Sequence, residues 1–184
     1  MEAVIEARVI RNLALVGFMG TGKSSVGRFV AAQLRFGFVD TDDLVEARAG
    51  KSISRIFAEE GESRFREYER EVVADLTRLK ETVIAGGGGL VVDESNLASL
   101  KTHALVVCLW ASPETIWSRV CNQSHRPLLQ TSDPEVRLRQ LLEERGPCYR
   151  RADALVGTDL RSIKDVAQHV LHQFRLAGGL PARR

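Results

Sequence analysis

Residues 17–24 constrain the fold more than any other part of the chain. They read GFMGTGKS and match the pattern GxxxxGK[ST] in full. An apolar run at 13–17 leads into this segment, and apolar residues at helical spacing follow it at 24–34. A glycine loop between a buried strand and a helix directs backbone N–H groups and the positive end of the helix dipole at an anion. The sequence therefore predicts a P-loop that binds the phosphates of a nucleotide.

Two side chains of the P-loop carry its predicted chemistry. Lys23 supplies a positive charge for the β- and γ-phosphates, and the Ser24 hydroxyl is suited to coordinate Mg²⁺. We expect ATP to contact a continuous run of the loop: Gly20, Thr21, Gly22, Lys23, Ser24 and Ser25. The alternative is a glycine-rich turn that only joins a strand to a helix, and the complete motif in its expected context argues against that alternative.

The rest of the chain narrows the class of nucleotide-binding protein. The NKxD motif, with which a regulatory GTPase recognises guanine, does not occur in the sequence. The third predicted strand ends in four glycines, 86–89, and not in the acidic pair usual for motor and AAA-type ATPases. Both features favour a small phosphotransferase.

Short apolar runs alternate with longer segments of helical periodicity along the whole chain. The runs predict strands at 13–17, 36–40, 82–86, 104–110 and 153–157. Apolar spacing and N-cap residues predict helices at 24–34, 62–80, 113–120, 134–142 and 163–174. Near-continuous apolar strands are typical of a parallel sheet covered on both faces, so we expect an α/β three-layer sandwich. We expect one domain over 1–184, with a frayed tail at about 176–184.

Composition excludes several classes of function. The 184 residues match the length of one domain, and 26 basic against 24 acidic residues argue against nucleic-acid binding. No run of 18 apolar residues occurs, which argues against a membrane span, and the first residues lack the apolar core of a secretory signal. Three cysteines without CxxC spacing argue against a disulfide framework or a zinc site, so we expect a cytoplasmic protein.

Acidic residues follow the second predicted strand, in the segment Asp40-Thr41-Asp42-Asp43. The carboxyl ends of strands form the ligand crevice in an open α/β sheet. Continued extended geometry would aim Asp40 and Asp42 the same way. Two carboxylates beside a P-loop suit metal organisation and acceptance of a proton from a substrate hydroxyl. The alternative is a turn that caps a helix, which we favour for Asp43.

Arg66 and Glu69 are three residues apart on a predicted helix and share one face. An exposed ion pair within a charge-rich helix is the alternative for Arg66. The four glycines at 86–89 indicate backbone brought close to a ligand, with a plain mobile turn as the alternative. The polar segment 121–134, interrupted by Pro127, is long for a loop in a compact domain, so we expect a functional or mobile segment there.

Five sequence blocks occur in the order and spacing of one enzyme family: GFMGTGKSSVG, DTDDLVEARAGKSISRIFAEEGESRFREYE, the glycine run, RPLL and RGPCY. The second block is the most specific because it joins DTD, GxSIxxIF and GExxFRxxE in one register. Gluconate-type kinases share the P-loop and the general fold but not this block. In these blocks the chain resembles the shikimate kinase family over about residues 11–175.

The resemblance implies a reaction and a topology. The reaction is ATP-dependent phosphorylation of the 3-hydroxyl of shikimate, with Mg²⁺, giving shikimate 3-phosphate and ADP in the biosynthesis of chorismate and aromatic amino acids. The topology is a five-stranded parallel sheet of order 2-3-1-4-5. The expected partners are the small molecules shikimate and ATP, and we expect the protein to act as a monomer.

The resemblance also implies roles for individual residues. Asp42 would bind the acceptor hydroxyls as the candidate base, and Asp40 would assist Ser24 at the Mg²⁺ site. Arg66 and Arg145 would hold the carboxylate of shikimate. The ring of shikimate would contact Gly86, Gly87 and Gly88, with Phe65 and Glu69 nearby. The segment 121–134 would form a lid over the ligands. The remaining ATP contacts would come from three arginines: Arg126 in this lid, which also assists catalysis with Lys23 and Asp42, Arg119 near adenine, and Arg161 in the loop that follows the fifth strand.

Three positions depart from the family pattern. The residues after Tyr149 are Arg-Arg-Ala-Asp. The family often has an acidic residue there, in a segment that is one residue longer. The loop 157–163 lacks the proline often found near adenine, and Gly89 stands where a small side chain is common. Two alternatives remain open at this point: a P-loop kinase for a different polyol or acid, and a family member that binds nucleotide without turnover.

Overall fold

Parallel strands form the central sheet. The computed structural model describes residues 8–122, 127–129 and 131–179. Within these ranges the strands are β1 (Asn12–Val16), β2 (Gly37–Asp40), β3 (Thr82–Ala85), β4 (Ala104–Trp110) and β5 (Ala154–Gly157). They pair in the order β2-β3-β1-β4-β5, each pair parallel. The predicted α/β sandwich and its strand order are confirmed.

Helices connect the strands and cover both faces of the sheet. They are α1 (Lys23–Leu34), α2 (Thr41–Ala49), α3 (Ile53–Glu59), α4 (Gly61–Leu76), α5 (Glu94–His103), α6 (Pro113–Val120), α7 (Pro134–Tyr149) and α8 (Ile163–Leu176). Short 3₁₀ turns occur at Leu90–Val92 and Pro127–Leu129. Among the described helices, none combines the length and the apolarity that crossing a membrane requires.

Strand β1 explains why both faces of the sheet are covered. All five of its residues are buried. Leu13 and Leu15 pack in one cluster with apolar residues of α1 and α8. Ala14 and Val16 pack in another cluster with residues of α5 and α7. Each apolar side chain removed from water in this way contributes about 1.5–3 kcal/mol when its size is that of leucine or valine.

Predicted and observed elements differ mainly at helix ends. Each strand end lies within one residue of its prediction. Helix α4 ends at Leu76, before the predicted residue 80, and α7 continues to Tyr149, beyond the predicted residue 142. The longer α7 is explained by Arg145 and Tyr149, which are four residues apart, both buried, and extend the packed face of the helix.

Three helices, α2, α3 and α5, have no counterpart among the predicted ones. The cause is a weak apolar stripe. Helix α2 buries Thr41 and Val45, and the seven-residue α3 buries Ile56. Helix α5 buries four residues, and two of them, Asn96 and His103, are polar, so half of its packed face lacks an apolar signal.

Two predicted segments lie partly outside the described residues. In the predicted lid at 121–134, residues 123–126 and 130 are outside, and Arg126 is one of them. Helix α6 ends at Val120 and α7 begins at Pro134, and the described residues between them include the 3₁₀ turn Pro127–Leu129. In the predicted tail, Leu176 is still helical, and residues 180–184 are outside the described part.

A buried polar bridge joins the amino ends of β1 and β3 to the last residue of α5, opposite the P-loop. The Asn12 amide nitrogen donates to the carbonyl of Leu79 at 2.8 Å and lies 2.9 Å from His103 Nδ1. Asn12 Oδ1 accepts from the backbone N–H of Thr82 at 3.0 Å. Burial, with Arg11 and Arg8 nearby, lowers the pKa of His103. The histidine is therefore neutral at pH 7, with Nδ1 accepting the hydrogen bond from Asn12.

Candidate active site

Glycines give the P-loop its shape. Gly17, Gly20 and Gly22 have φ values of +132°, +76° and +92°, which side chains rarely adopt. A Cβ at Gly17 would lie 2.2 Å from the carbonyl oxygen of Leu109, so the loop and β4 approach too closely for any other residue. The loop turns directly from β1 into α1, whose first residue is Lys23.

Polar side chains fasten the P-loop from within. Thr21 is buried, and its hydroxyl donates to the carbonyl of Phe18 at 2.8 Å. Lys23 Nζ donates to the same carbonyl at 2.9 Å. Lys23 thus lies folded over the loop, with its charge at the position where the motif predicts phosphates.

Asp40 joins the P-loop to the end of β2. The Ser24 hydroxyl donates to Asp40 Oδ2 at 2.6 Å, and Asp40 Oδ1 accepts from the backbone N–H of Asp42 at 3.1 Å. Asp40 is therefore the N-cap of α2, the role that we favoured for Asp43. The expected extended geometry beyond Asp40 is also wrong, because α2 begins at Thr41.

The pair Ser24–Asp40 fits a magnesium ion. A hydroxyl and a carboxylate are oxygen ligands of the kind that Mg²⁺ prefers, and Mg²⁺ sites in kinases combine one or two such protein ligands with substrate phosphates. Their 2.6 Å contact places both oxygens at the phosphate side of the P-loop. These two residues could hold the ion between them.

Two cavities open at the carboxyl ends of the strands. The phosphate cavity, of about 310 Å³, has these residues in its lining: Gly20, Gly22, Lys23, Ser24, Ser25 and Arg119. The arginine cavity, of about 490 Å³, has these: Phe57, Phe65, Arg66, Glu69, Gly89 and Arg145. Four residues line both: Met19, Asp40, Asp42 and Gly88. The two cavities therefore meet at a pair of carboxylates, where a group can pass from one ligand to the other.

The glycine turn 86–89 packs against the carboxylates at this junction. A Cβ at Gly87 would lie 2.6 Å from Asp42 Oδ1 and 3.0 Å from Glu69 Oε1. The Gly87 N–H donates to the Thr41 hydroxyl at 2.7 Å. The backbone at Gly87 thus lies close to side chains of the protein, and its approach to a ligand stays a prediction.

Arg66 lies between two carboxylates at the mouth of the arginine cavity. Its Nη1 donates to Glu69 Oε2 at 2.5 Å, and its Nη2 donates to Glu62 Oε1 at 2.8 Å. Burial alone would lower the pKa of Arg66, but the charges of Glu69 and Glu62 raise it above the ordinary value. The open alternative of an intrahelical ion pair therefore describes a real contact, and the same guanidinium still lines the cavity.

Glu69 is a buried carboxylate, with 1% of its side chain exposed. Burial raises its pKa, Asp42 adds to the rise, and Arg66 and Arg145 oppose it. Among the residues that the structure describes, no hydrogen-bond donor reaches Glu69 Oε1. The free oxygen faces Gly87 and Asp42 and can accept a hydrogen bond from a ligand hydroxyl.

Arg145 and Phe65 complete the predicted lining of the arginine cavity. Arg145 is 8% exposed and belongs to α7, far from Arg66 in the sequence. Both arginines line the same cavity. Phe65 packs on Phe57 with ring centroids 5.0 Å apart, and the Arg66 guanidinium carbon lies 5.1 Å from the Phe65 ring centre. Two arginines, an aromatic floor and buried carboxylates suit a small anionic ligand with hydroxyl groups.

The predicted nucleotide arginines lie in different places. Arg119 lines the phosphate cavity, and its Nη1 donates to the carbonyl of Gly20 and to the Thr158 hydroxyl, each at 3.1 Å. Arg161 lies near His169, 3.0 Å from its Nδ1, and lines neither of the two cavities. The prediction for Arg126 falls outside the described residues.

Several lining residues were not among the predicted ones: Met19, Asp43, Glu46, Ser52, Ile53, Ser54, Phe57, Gly89 and Leu128. Most of them belong to α2 and α3. A signal for these residues was present in the GKSISRIF block, which is specific and has no role in the P-loop. Leu128 follows the predicted lid arginine by two positions and lines the arginine cavity.

The parallel sheet, the P-loop and the two joined cavities are the arrangement of a P-loop kinase that acts on small molecules. Comparison with protein families narrows this class. The family model described as "Shikimate kinase" matches residues 19–175. The chain belongs to the shikimate kinase family.

Known proteins agree with this assignment over most of the chain. A curated shikimate kinase from Caldanaerobacter subterraneus subsp. tengcongensis is 45% identical over 165 residues, which cover 90% of this chain and 96% of the relative. The solved structure of a shikimate kinase from Acinetobacter baumannii in complex with shikimate has a TM-score of 0.87 at 39% identity, covering 95% of this chain and 97% of that chain. A gluconokinase from Sinorhizobium meliloti, with a TM-score of 0.60 at 18% identity, covers 93% of this chain and 95% of its own and shares the fold alone.

Proposed function

We propose that this protein transfers the γ-phosphoryl group of ATP to the 3-hydroxyl of shikimate, in the biosynthesis of aromatic amino acids. The observation that carries the proposal is the junction of the two cavities at Asp40, Asp42 and Gly88. One cavity has the residues of a phosphate site, and the other has two arginines for a carboxylate. The family and the relatives named above support the same reaction.

The P-loop would hold ATP with its γ-phosphate at the junction. Lys23 would leave the Phe18 carbonyl and neutralise charge on the β- and γ-phosphates. Ser24 and Asp40 would hold Mg²⁺, which supplies further neutralisation of the phosphates when it is bound. Arg119, and with it Arg126 and Arg161, would complete the nucleotide contacts.

Asp42 would accept the proton of the attacking hydroxyl. It lines both cavities, and its Oδ1 is held near the glycine turn at Gly87. Phosphoryl transfer passes through a loose transition state that asks little of a base. The main contribution of Asp42 is then to orient the hydroxyl in line with the γ-phosphate.

Arg66 and Arg145 would bind the carboxylate of shikimate on the opposite side of its ring. A planar guanidinium offers two parallel donors to a carboxylate, which an ammonium group cannot reproduce. Glu69, Phe65 and the glycines at 86–88 would surround the hydroxyl-bearing ring. This combination selects an acid that also carries hydroxyl groups and disfavours neutral polyols.

The lid at 121–134 would close over both ligands and exclude water, which competes as phosphoryl acceptor. The protein would act as a monomer. The three cysteines are free thiols, which supports a reducing compartment such as the cytoplasm.

ADP release over a panel of hydroxy acids and polyols tests the proposal. We expect rapid, Mg²⁺-dependent turnover with shikimate and far slower turnover with gluconate or with neutral polyols. The phosphorylated position is identified by NMR of the product. If another acceptor is preferred, that acceptor replaces shikimate as the proposed substrate. Nucleotide binding without turnover on any acceptor would favour the non-catalytic alternative.

A further inference from the structure

Tyr149 is a buried tyrosine that has no role in the proposed reaction. It is fully buried and is among the largest buried side chains in the described part of the chain. Its ring packs edge to face against Phe18 of the P-loop, with centroids 6.5 Å apart, and also against Trp110 at 6.5 Å. A phenol enclosed in this way requires a partner for its hydroxyl.

The hydroxyl has its acceptor in the glycine turn, and the side chain of Arg145 interacts with it as well. Tyr149 Oη donates to the carbonyl oxygen of Gly88 at 2.5 Å. Gly88 lines both cavities, so the hydroxyl binds, from the buried side, a residue that the two cavities share. A Cβ at Gly88 would lie 3.2 Å from the backbone nitrogen of Met19, which leaves the turn little freedom on the P-loop side.

Thr41 holds the other half of the turn. Thr41 is 1% exposed, and its hydroxyl accepts from the Gly87 N–H at 2.7 Å. The peptide group before Gly87 and the peptide group after Gly88 are therefore fixed by two buried side-chain hydroxyls that come from different elements. Thr41 adjoins Asp42, and Tyr149 is one helical turn beyond Arg145 on the same face of α7.

We propose that Tyr149 is a positioning residue for the acceptor substrate. Its hydroxyl fixes the Gly88 peptide and, through α7, the placement of Arg145 relative to the turn, so that the arginine cavity has its final shape before substrate arrives. This inference rests on the proposed function. It assigns Tyr149 no contact with either substrate.

Tyr149→Phe tests the hydroxyl alone, because the ring and its packing on Phe18 remain. We expect the KM for shikimate to rise roughly tenfold, the equivalent of one hydrogen bond of ordinary strength. The KM for ATP and the circular dichroism spectrum should stay close to those of the wild type. The matched control is Tyr68→Phe, which removes the hydroxyl of a partly buried tyrosine of α4 that lines neither cavity.

Thr41→Val removes the second hydroxyl with little change of shape and provides an independent test. The same rise in the KM for shikimate is expected. A merely structural role would lower the melting temperature and the active fraction while leaving the two KM values in their wild-type ratio. That outcome, or an unchanged KM for shikimate in both variants, would overturn the proposal.

Hydrogen exchange in the free protein makes the test independent of the substrate. The amides of Gly87 and Leu90 are bonded within the turn, to Thr41 Oγ1 and to the Gly87 carbonyl. In Tyr149→Phe they should exchange several times faster than in the wild type, with Tyr68→Phe unchanged. Equal exchange would overturn the inference even if shikimate is the substrate. If Tyr149→Phe exchanges faster but the wild type does not phosphorylate shikimate, Tyr149 still fixes the turn and the proposed function is wrong.

Discussion

Arg66 and Glu69 form a charged pair of which one member is almost fully buried. Their Nη1 and Oε2 atoms are 2.5 Å apart, with 20% of the arginine side chain exposed and 1% of the glutamate side chain. A buried carboxylate needs such a partner, since burial without compensation is expensive. The pair therefore fixes the guanidinium at the cavity mouth, and an incoming carboxylate meets an arginine already in place.

Arg66→Ala should reduce catalytic efficiency toward shikimate by about 10- to 150-fold, because a hydrogen bond to a charged group contributes roughly 1.5–3 kcal/mol. Steady-state kinetics should show ATP binding nearly unchanged. The matched control is Arg64→Ala, because Arg64 pairs with Glu67 on the same helix and lines neither cavity.

A carboxamide analogue of shikimate separates the carboxylate clamp from a general loss of structure. The wild type should use this analogue poorly, and Arg66→Ala should lose little more on it. An equal loss of efficiency on the acid and on the amide would contradict the clamp.

Lys23→Ala should abolish turnover while the protein stays folded. The variant removes the charge that neutralises the departing phosphoryl group, and loss of one such group typically reduces kcat by at least ~10²-fold. ADP release and thermal melting measure the two quantities. Near-normal turnover would exclude Lys23 from the mechanism.

Asp40→Asn separates the two roles of Asp40. Asparagine caps helices as well as aspartate does, so α2 should keep its N-terminus. The carboxylate opposite Ser24 is lost, and the Mg²⁺ concentration for half-maximal activity should rise at least about tenfold. EDTA should abolish wild-type activity and added Mg²⁺ restore it. An unchanged Mg²⁺ requirement in the variant would place the ion elsewhere.

The features predicted from residues alone are those encoded within short segments. The P-loop joins its strand, glycines and helix in about 20 consecutive residues, so its position and fold followed from the motif. Asp40 was identified, but its bond to Ser24 crosses 16 positions and its capping role depends on where β2 ends. The buried stripe of α2 is too short to predict that end.

The position of Arg145 in the site could not be predicted from residue spacing. It meets Arg66 across a cavity formed by three-dimensional packing, and only the family resemblance assigned it a role. Tyr149 stood in the quoted RGPCY block without a function, because its partner is a glycine carbonyl 61 positions away. Contacts of this kind leave no periodic signal in a single sequence.

The bridge between Asn12 and His103 predicts stability that depends on pH. The folded state lowers the pKa of His103, so the unfolded chain binds the proton more tightly. This contribution is therefore complete above the unfolded pKa of about 6.5 and is lost as the pH falls through the folded pKa. Between the two values the loss is at most about 1.4 kcal/mol per pH unit.

Urea unfolding at pH 7.5 and at pH 5.5 measures this effect. His103→Asn keeps an acceptor for the Asn12 amide without a titrating group and should reduce the decrease. The exposed His172, changed to Asn, is the control and should leave the decrease as it is in the wild type. The same pH dependence in His103→Asn and in the wild type would assign the effect to other groups.

Gly89 is the family departure with the most direct consequence for the site. An added Cβ would lie 2.8 Å from both Nη1 and Nη2 of Arg66, so the guanidinium occupies space that a side chain would take. The backbone of Gly89, at φ −114° and ψ 1°, accepts alanine without strain. Gly89→Ala should therefore keep the fold and displace the Arg66 guanidinium.

We expect Gly89→Ala to raise the KM for shikimate by up to about tenfold, the equivalent of weakening one charge-assisted hydrogen bond, with ATP binding unchanged. Gly157→Ala is the control, since a Cβ there meets no atom within 4 Å. In an Arg66→Ala background the change at Gly89 should add nothing, because its effect passes through the guanidinium. An equal KM increase from Gly89→Ala with and without Arg66 would show instead that the added methyl group obstructs the substrate directly.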